Sequence, residues 1–239
     1  MLSVFEEVAQ RQPIGVSELA RLMEDDKSSI QRALMTLADA GWIEAASGKP
    51  GRWQASGRIL ALARHARPAS DLRERAGSIL QTLRDRCGET VLLILLEGDG
   101  FVVADARESR QMLRTSPRIG MPISAHNTAT ARAVLPYLDV ARQARILGHT
   151  PKPAESDTFA LTLTHGYSVS NGEVVDSAAS IAAPIFDEDG MPLGAVAISG
   201  PSDRLTTSRH AELGAAVIEA TRSLSQGAPV QVRQLITLV

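Results

Sequence analysis

The sequence predicts an α+β chain: a small helical head closed by a hairpin, then a larger antiparallel sheet domain with helices packed on it. Two observations carry that prediction. Residues 1–57 hold three short segments of helical apolar spacing, followed by two strand-like pieces around a Gly-containing turn. Further on, an apolar run, an acidic Gly turn and a second apolar run occur in that order twice, with amphipathic segments before and after. At 239 residues and 44% hydrophobic, the chain has enough apolar surface for a real core in one large domain or two smaller ones.

Each element has its own signal. Val4, Phe5, Val8 and Ala9 stand at helical spacing within Met1–Gln12, and Pro13 with Gly15 stops that helix. Ser17 is placed to cap a second helix, Glu18–Met23, with Glu18 in the positive first turn. After the acidic Glu24-Asp25-Asp26, a third helix opens near Lys27. Ile30, Ala33, Leu34 and Leu37 form its inward stripe and Gly41 ends it. Trp42–Ala45 and Arg52–Ala55 read as strands joined by a turn over residues 46–51. Arg58–Arg67 is helical in character and is broken by Pro68 and Ser70. Asp71 then caps a long helix striped by Leu72, Ala76, Ile79, Leu80, Leu83 and Cys87.

Beyond Gly88 the texture changes to sheet. Val91–Leu96 and Phe101–Ala104 pair around Glu97-Gly98-Asp99-Gly100, and another strand is expected near Met112–Thr115. His126–Leu138 reads as a helix, ended after Pro136 by an Ala/Arg-rich stretch. Ile181–Phe186 and Leu193–Ser199 are expected as adjacent antiparallel strands about Asp187-Glu188-Asp189-Gly190. Thr206 or Thr207 caps a last helix striped by Leu213, Ala216, Val217, Ala220 and Leu224. The expected division is a head over 1–57, a linker helix over 58–70, a sheet domain over 71–228 and a tail over 229–239.

Composition excludes several functions. A net charge of −2 rules out a bulk polycation, so nucleic-acid contact must come from a local patch. Aromatic residues at 3% argue against a single-strand binder that stacks bases. The single Cys87 leaves neither an internal disulfide nor a cysteine zinc site, and core filling is its expected role. No apolar run is long enough to span a bilayer and no basic-then-apolar leader is visible, so a cytoplasmic location without membrane contact is expected. The histidines at 65, 126, 149, 165 and 210 show no i, i+4 pair for a metal, and Gly48-Lys49-Pro50 is no phosphate loop. The acidic turn over 187–190 faces water. No cofactor is expected.

Helix, turn, helix and hairpin in that order is the reading of a winged helix-turn-helix, whose third helix enters the DNA major groove. With the apolar stripe inward, Ser28, Gln31, Arg32, Met35, Thr36 and Asp39 face outward. Gln31 suits adenine, and Arg32 suits guanine or phosphate. Lys27, Ser29, Lys49 and Arg52 are better placed for backbone oxygens, which position the protein without specifying sequence. Nine basic residues against eight acidic ones over Met1–Pro68 leave +1, weak support, and such units also pack protein partners. The pattern alone leaves both open.

The head resembles that of the IclR family of bacterial regulators. The resemblance lies in Val16-Ser17-Glu18-Leu19-Ala20, in Lys27-Ser28-Ser29-Ile30-Gln31-Arg32-Ala33-Leu34-Met35-Thr36-Leu37 against K-S-T-x-x-R-x-L-x-x-L, and in Gly41-Trp42-Ile43-Glu44. Gly51-Arg52-Trp53 matches the wing's G-R-Y, and Arg58-Ile59-Leu60-Ala61-Leu62 the linker. The second region is similar to the same family's effector domain. Gly88-Glu89-Thr90-Val91 matches G-E-T-V, and Gly120, Pro122 and His126–Ala133 match the G-x-x-x-P-x-H-A-T-A-x-G-K-A stretch. His165-Gly166-Tyr167, Ser180–Asp187 and Ile198-Ser199-Gly200-Pro201 match R-G-Y, C-V-A-A-P-V-F-D and V-S-G-P.

The resemblance implies a GAF-like sheet domain with a small-molecule cavity. Its polar end would fall on Ser170, Ser180, Ala197 and Ser199, where members that bind small keto acids carry Asp, Cys, Ser and Ser. The wall would come from Met112, Thr115 and Ile123, with Ala129 and Thr130 at a helix start. Loss of the carboxylate at Ser170 and of a hydroxyl at Ala197 implies a larger, more apolar effector, an aromatic or apolar acid. Further implied are a pseudo-palindromic double-stranded DNA operator, a homodimer or dimer of dimers, and a regulator (more often a repressor) rather than an enzyme. His126 is then a structural or pocket-edge residue, and Ser199 lies in no G-x-S-x-G elbow. Two other functions remain compatible with the residues: a small-molecule module acting through protein partners without DNA binding, and a hydrolase using His126 with a serine.

Overall fold

The structure is a computed structural model that describes residues 1–63 and 67–229. It divides into two compact units, Met1–Arg67 and Pro68–Val239. The first opens with α1 (Leu2–Arg11), β1 (Ile14–Gly15), α2 (Val16–Leu22) and α3 (Lys27–Asp39), and continues through β2 (Ile43–Ala45), β3 (Arg52–Ala55) and α4 (Arg58–Ala63). Its core includes Val4, Val8, Ile14, Leu19, Ile30, Leu34, Leu37 and Ile43, from α1, α2, α3 and the inward side of the sheet. The strands pair in the order β1-β3-β2, antiparallel, with Ile43 opposite Ala55 and Ile14 opposite Trp53.

Two local signals resolve differently from expectation in this unit. Ser17 does not cap α2, because the helix begins a residue earlier at Val16 with Gly15 as its N-cap. Ala33 is half-buried rather than part of the closed core.

The second unit begins on α5 (Arg67–Cys87), followed by β4 (Thr90–Glu97), β5 (Gly100–Arg107), β6 (Pro122–Ile123), α6 (Ala129–Val134) and a 3-10 turn at Leu135–Tyr137. Then come α7 (Val140–Leu147), α8 (Pro153–His165), β7 (Ser168–Asn171), β8 (Ala178–Phe186), β9 (Pro192–Pro201), a 3-10 turn at Thr207–Arg209 and α9 (His210–Leu224). Pro68 and Ser70 do not break α5, and Asp71 lies inside it rather than capping it. Pro68 sits in the first turn, where a missing backbone N–H costs nothing.

The six strands run in the order β6-β5-β4-β9-β8-β7, every pairing antiparallel. Both faces are covered, so alternate residues of the central strands enter two cores. Val91, Leu93, Ile181, Ile185, Val196 and Ile198 pack against the stripes of α5 and α9. Leu92, Ile94, Phe101, Val103, Ala182, Ala195 and Ala197 pack against α6, α7 and α8. The expected strand near Met112–Thr115 is irregular loop. The expected His126–Leu138 helix starts only at Ala129, because Asn127 takes a left-handed φ of 60° and Thr128 caps α6 by accepting from the Ala131 N–H at 3.2 Å.

Candidate functional site: the α3 face and a cavity under the sheet

The outward face of α3 is built by its cap. Asp26 accepts hydrogen bonds from the backbone N–H groups of Ser28 and Ser29 at 2.8 and 2.9 Å, which satisfies two orphan donors of the first turn. Ser28 Oγ also donates to Asp26, at 2.6 Å, and Ser29 Oγ to Asp25, at 3.3 Å. These bonds, led by that of the Ser28 hydroxyl, hold the Asp26 carboxyl below its usual range. The serine hydroxyls are therefore donors to the cap rather than to an outside ligand. Thr36 Oγ1 likewise donates to the Arg32 carbonyl oxygen at 2.9 Å. The side chains of Lys27, Gln31 and Arg32 are exposed and make no hydrogen bond or ion pair among the described residues.

The wing turn places Lys49 outward between Gly48 and Gly51, both with left-handed φ (72° and 75°). Arg52 is engaged elsewhere. Its guanidinium donates to the Pro13 carbonyl oxygen at 2.8 Å and to Glu18 at 3.2 Å, which ties the wing to the start of α2. The position expected to touch phosphate thus braces the head. Arg58 lies 5.0 Å over the Trp42 ring and donates to the Ala40 carbonyl oxygen, a contact absent from the sequence-based expectations.

In the second unit, the face of the sheet that carries α6 leaves a cavity of about 200 Å³. Thr115, Ile123, Thr130, Ser170, Ser180, Ala197 and Ser199 line it together with Thr128, Leu92, Ile94, Val174 and Val175. Met112 and Ala129 do not. Met112 is 97% exposed on its loop, and Ala129 is fully buried in the core between α6 and the sheet. Strand alternation brings the hydroxyls together: Ser170 stands opposite Ser180, Ser180 opposite Ser199, and Ser199 opposite Thr90. One row of four hydroxyls crosses β7, β8, β9 and β4.

Not all of them are available. Ser170 Oγ donates to the Asn127 carbonyl oxygen at 2.6 Å, and Thr115 Oγ1 donates to the Ser199 carbonyl oxygen at 3.1 Å. The side chains of Thr130, Ser180 and Ser199 have no hydrogen-bond partner among the described residues, and Thr130 is 3% exposed. Ser180 and Ser199 are half-buried and open to the cavity, so their hydroxyls are left to meet solvent or a guest. Thr130, expected as wall, is one of its polar groups. Val174 and Val175, more than half exposed at the rim, went unremarked because a Val pair in a loop has no periodicity. No ionisable side chain lines the cavity among the described residues. His126 is exposed and stacks on His149 at 5.9 Å, outside the cavity lining.

Comparison with known proteins decides the family. The C-terminal domain of the IclR bacterial transcriptional regulators matches residues 65–226. The chain belongs to the IclR family. The regulator BhcR of Paracoccus denitrificans is 28% identical over 237 residues, 95% of this chain and 85% of that protein. The transcriptional repressor IclR of Escherichia coli is 26% identical over 226 residues, 89% of this chain and 82% of its own length. Among solved structures, an IclR regulator from Silicibacter sp. TM1040 superposes with a TM-score of 0.79 at 26% identity, covering 95% of both chains.

The α+β class therefore stands, with a helix-turn-helix head and a GAF-like sheet domain. Within the IclR framework, the departures at Ser170 and Ala197 acquire a structural sense. Ser170 uses its hydroxyl to hold the turn before α6, and Ala197 fills core space opposite Leu92 and Ala182. No described helix is long and apolar enough to cross a membrane, and no group of three or more His, Cys, Asp or Glu among the described residues is placed to hold a metal ion.

Proposed function

We propose that this chain is a ligand-responsive DNA-binding regulator, acting as a repressor on a pseudo-palindromic operator. It works as a homodimer or dimer of dimers, with a small organic effector in the cavity under the sheet. The observation that carries the DNA reading is the unengaged pair Gln31 and Arg32 in the N-terminal half of α3, opposite the stripe of Ile30, Leu34 and Leu37 that fixes the helix in the head. In a helix-turn-helix that half enters the major groove, where Arg reads guanine and Gln adenine. The name of the E. coli relative, a repressor, supports the sign of the regulation.

Effector control is a linkage. The ligand must bind more tightly to one arrangement of paired heads than to another, because equal affinity shifts nothing. The free hydroxyls of Thr130, Ser180 and Ser199 fix one polar group of the effector, and Leu92, Ile94 and Ile123 take its apolar body.

Mobility-shift titrations test the head. Arg32→Ala lowers operator affinity by about 10- to 100-fold per half-site. Lys49→Ala weakens all sequences alike and reduces the salt slope by about 1 per head. Affinities unmoved by either change exclude this face. Ser180→Phe fills the cavity from β8; it is expected to leave operator affinity unchanged and to abolish release by the effector. Retained release excludes the cavity as the sensing site.

A further inference from the structure

One large apolar side chain of α3 has no role in the head's core: Met35, 45% exposed. A single exposed Met is ordinary on a protein surface. Its place on this helix is what makes it informative. Ser28, Arg32, Met35 and Asp39 follow at spacings of four, three and four residues, so they stand one above another along the side opposite the buried stripe. On that line the Ser28 hydroxyl is bound to Asp26, and Asp39 carries the charge that phosphates repel. Arg32 and Met35 are left to face an outside surface.

We propose that Met35 reads a thymine in each operator half-site through the C5-methyl group, at the base pair addressed by Arg32 or the next one. The inference rests on the DNA-binding reading above and adds to it one element of the sequence that is read. The major groove offers an apolar side chain one complementary group, the thymine methyl. The spacing fits: three residues of α-helix advance about 4.5 Å, against about 3.4 Å between stacked bases. Met is unbranched and polarisable, and its three torsions let it adapt to such a contact. The rule also predicts what Met35 does not do. A base pair that presents only donors and acceptors gains nothing from it, so the preference for thymine is a discrimination by one methyl.

The test uses the full chain and duplexes selected from a randomised pool, with each thymine of the selected half-site replaced in turn by deoxyuridine. That change removes the methyl and nothing else. Wild-type protein is expected to lose about 3- to 5-fold in affinity at one symmetric position per half-site. Met35→Ala should bind the thymine duplex more weakly by the same factor and be indifferent to deoxyuridine at that position. Met35→Leu should keep the discrimination. Ala on an exposed helical position is no threat to folding, and helicity and oligomeric state measured alongside check it. Equal thymine-to-deoxyuridine ratios for wild type and Met35→Ala overturn the proposal, as does a change of oligomeric state without a change in that ratio. A pool that yields no enriched sequence, with Arg32→Ala binding like wild type, overturns the DNA reading itself and the Met35 assignment with it.

Discussion

Gly194→Ala lowers the unfolding midpoint of the sheet domain by roughly 6–12 °C, the equivalent of about 3 kcal/mol in a unit of this size. Gly194 lies in β9 between Leu95 of β4 and Ile185 of β8, at a φ of 155°. A Cβ there would press into the Ile94 carbonyl oxygen and stand 2.8 Å from the Leu95 Cα. Both obstacles are backbone of a central strand, so no side-chain rotation relieves the overlap. β4 itself is held by the packed helices on both faces, and moving it disturbs two cores at once. Gly98, in the open β4–β5 turn, is the control, because a Cβ added there would meet nothing within 4 Å. Its replacement by Asn, which tolerates left-handed φ, costs less than about 1 kcal/mol. Scanning calorimetry of both variants decides; equal midpoints would show that the strand pair yields.

The sheet of this domain was legible because its central strands are long and apolar on both faces, as strands covered by two layers must be. The β8–β9 register, and with it the meeting of Ser180 and Ser199, follows from that pattern plus a short turn. The third helix was legible from its stripe, since Ile30, Leu34 and Leu37 repeat at the helical period.

What escaped had weak periodicity. α8 buries only Phe159 and Thr162, so no apolar stripe marks it. α7 was hidden in an Ala/Arg-rich stretch, although Asp139 caps it and Gly148 ends it in the left-handed region. β7 is a four-residue edge strand of two Ser, one Val and one Asn. In the site, the bonds of Ser28 and Ser29 to the Asp26 cap of α3 and the Arg52–Glu18 pair depend on contacts that spacing does not reveal. Met112 failed for a related reason: an apolar residue in a loop has no face to assign, and it stands in solvent.

Arg204→Met destabilises the same domain by about 3–5 kcal/mol and loosens the rim of the cavity. Glu89, just before β4, has its side chain 3% exposed and is held by Arg204 at 2.5 and 2.8 Å in a two-pronged pair. That pair pushes the Arg204 pKa up from its ordinary value. Room for the carboxylate comes from Gly200, where a Cβ would lie 2.5 Å from Glu89 Oε2. Removing the cation leaves a buried charge uncompensated, unlike the exposed Arg86–Glu219 pair, whose loss costs at most about 1 kcal/mol. The consequence reaches the cavity. Arg204 also donates to the Leu113 carbonyl oxygen at 2.8 Å, Thr90 Oγ1 donates to that of Thr115 at 2.8 Å, and Thr115 Oγ1 reaches the Ser199 carbonyl oxygen. The loop that brings Thr115 to the cavity is thus pinned beside the buried pair. Trypsin should cut Arg204→Met faster at Arg110 and Arg114 in that loop than it cuts wild type. Glu89→Gln combined with Arg204→Met should recover at least about 1 kcal/mol relative to Arg204→Met alone, because the orphaned charge is gone. A single variant as stable and as resistant as wild type would mean that the pair is an ornament of the fold, and that the hydroxyls alone hold the rim.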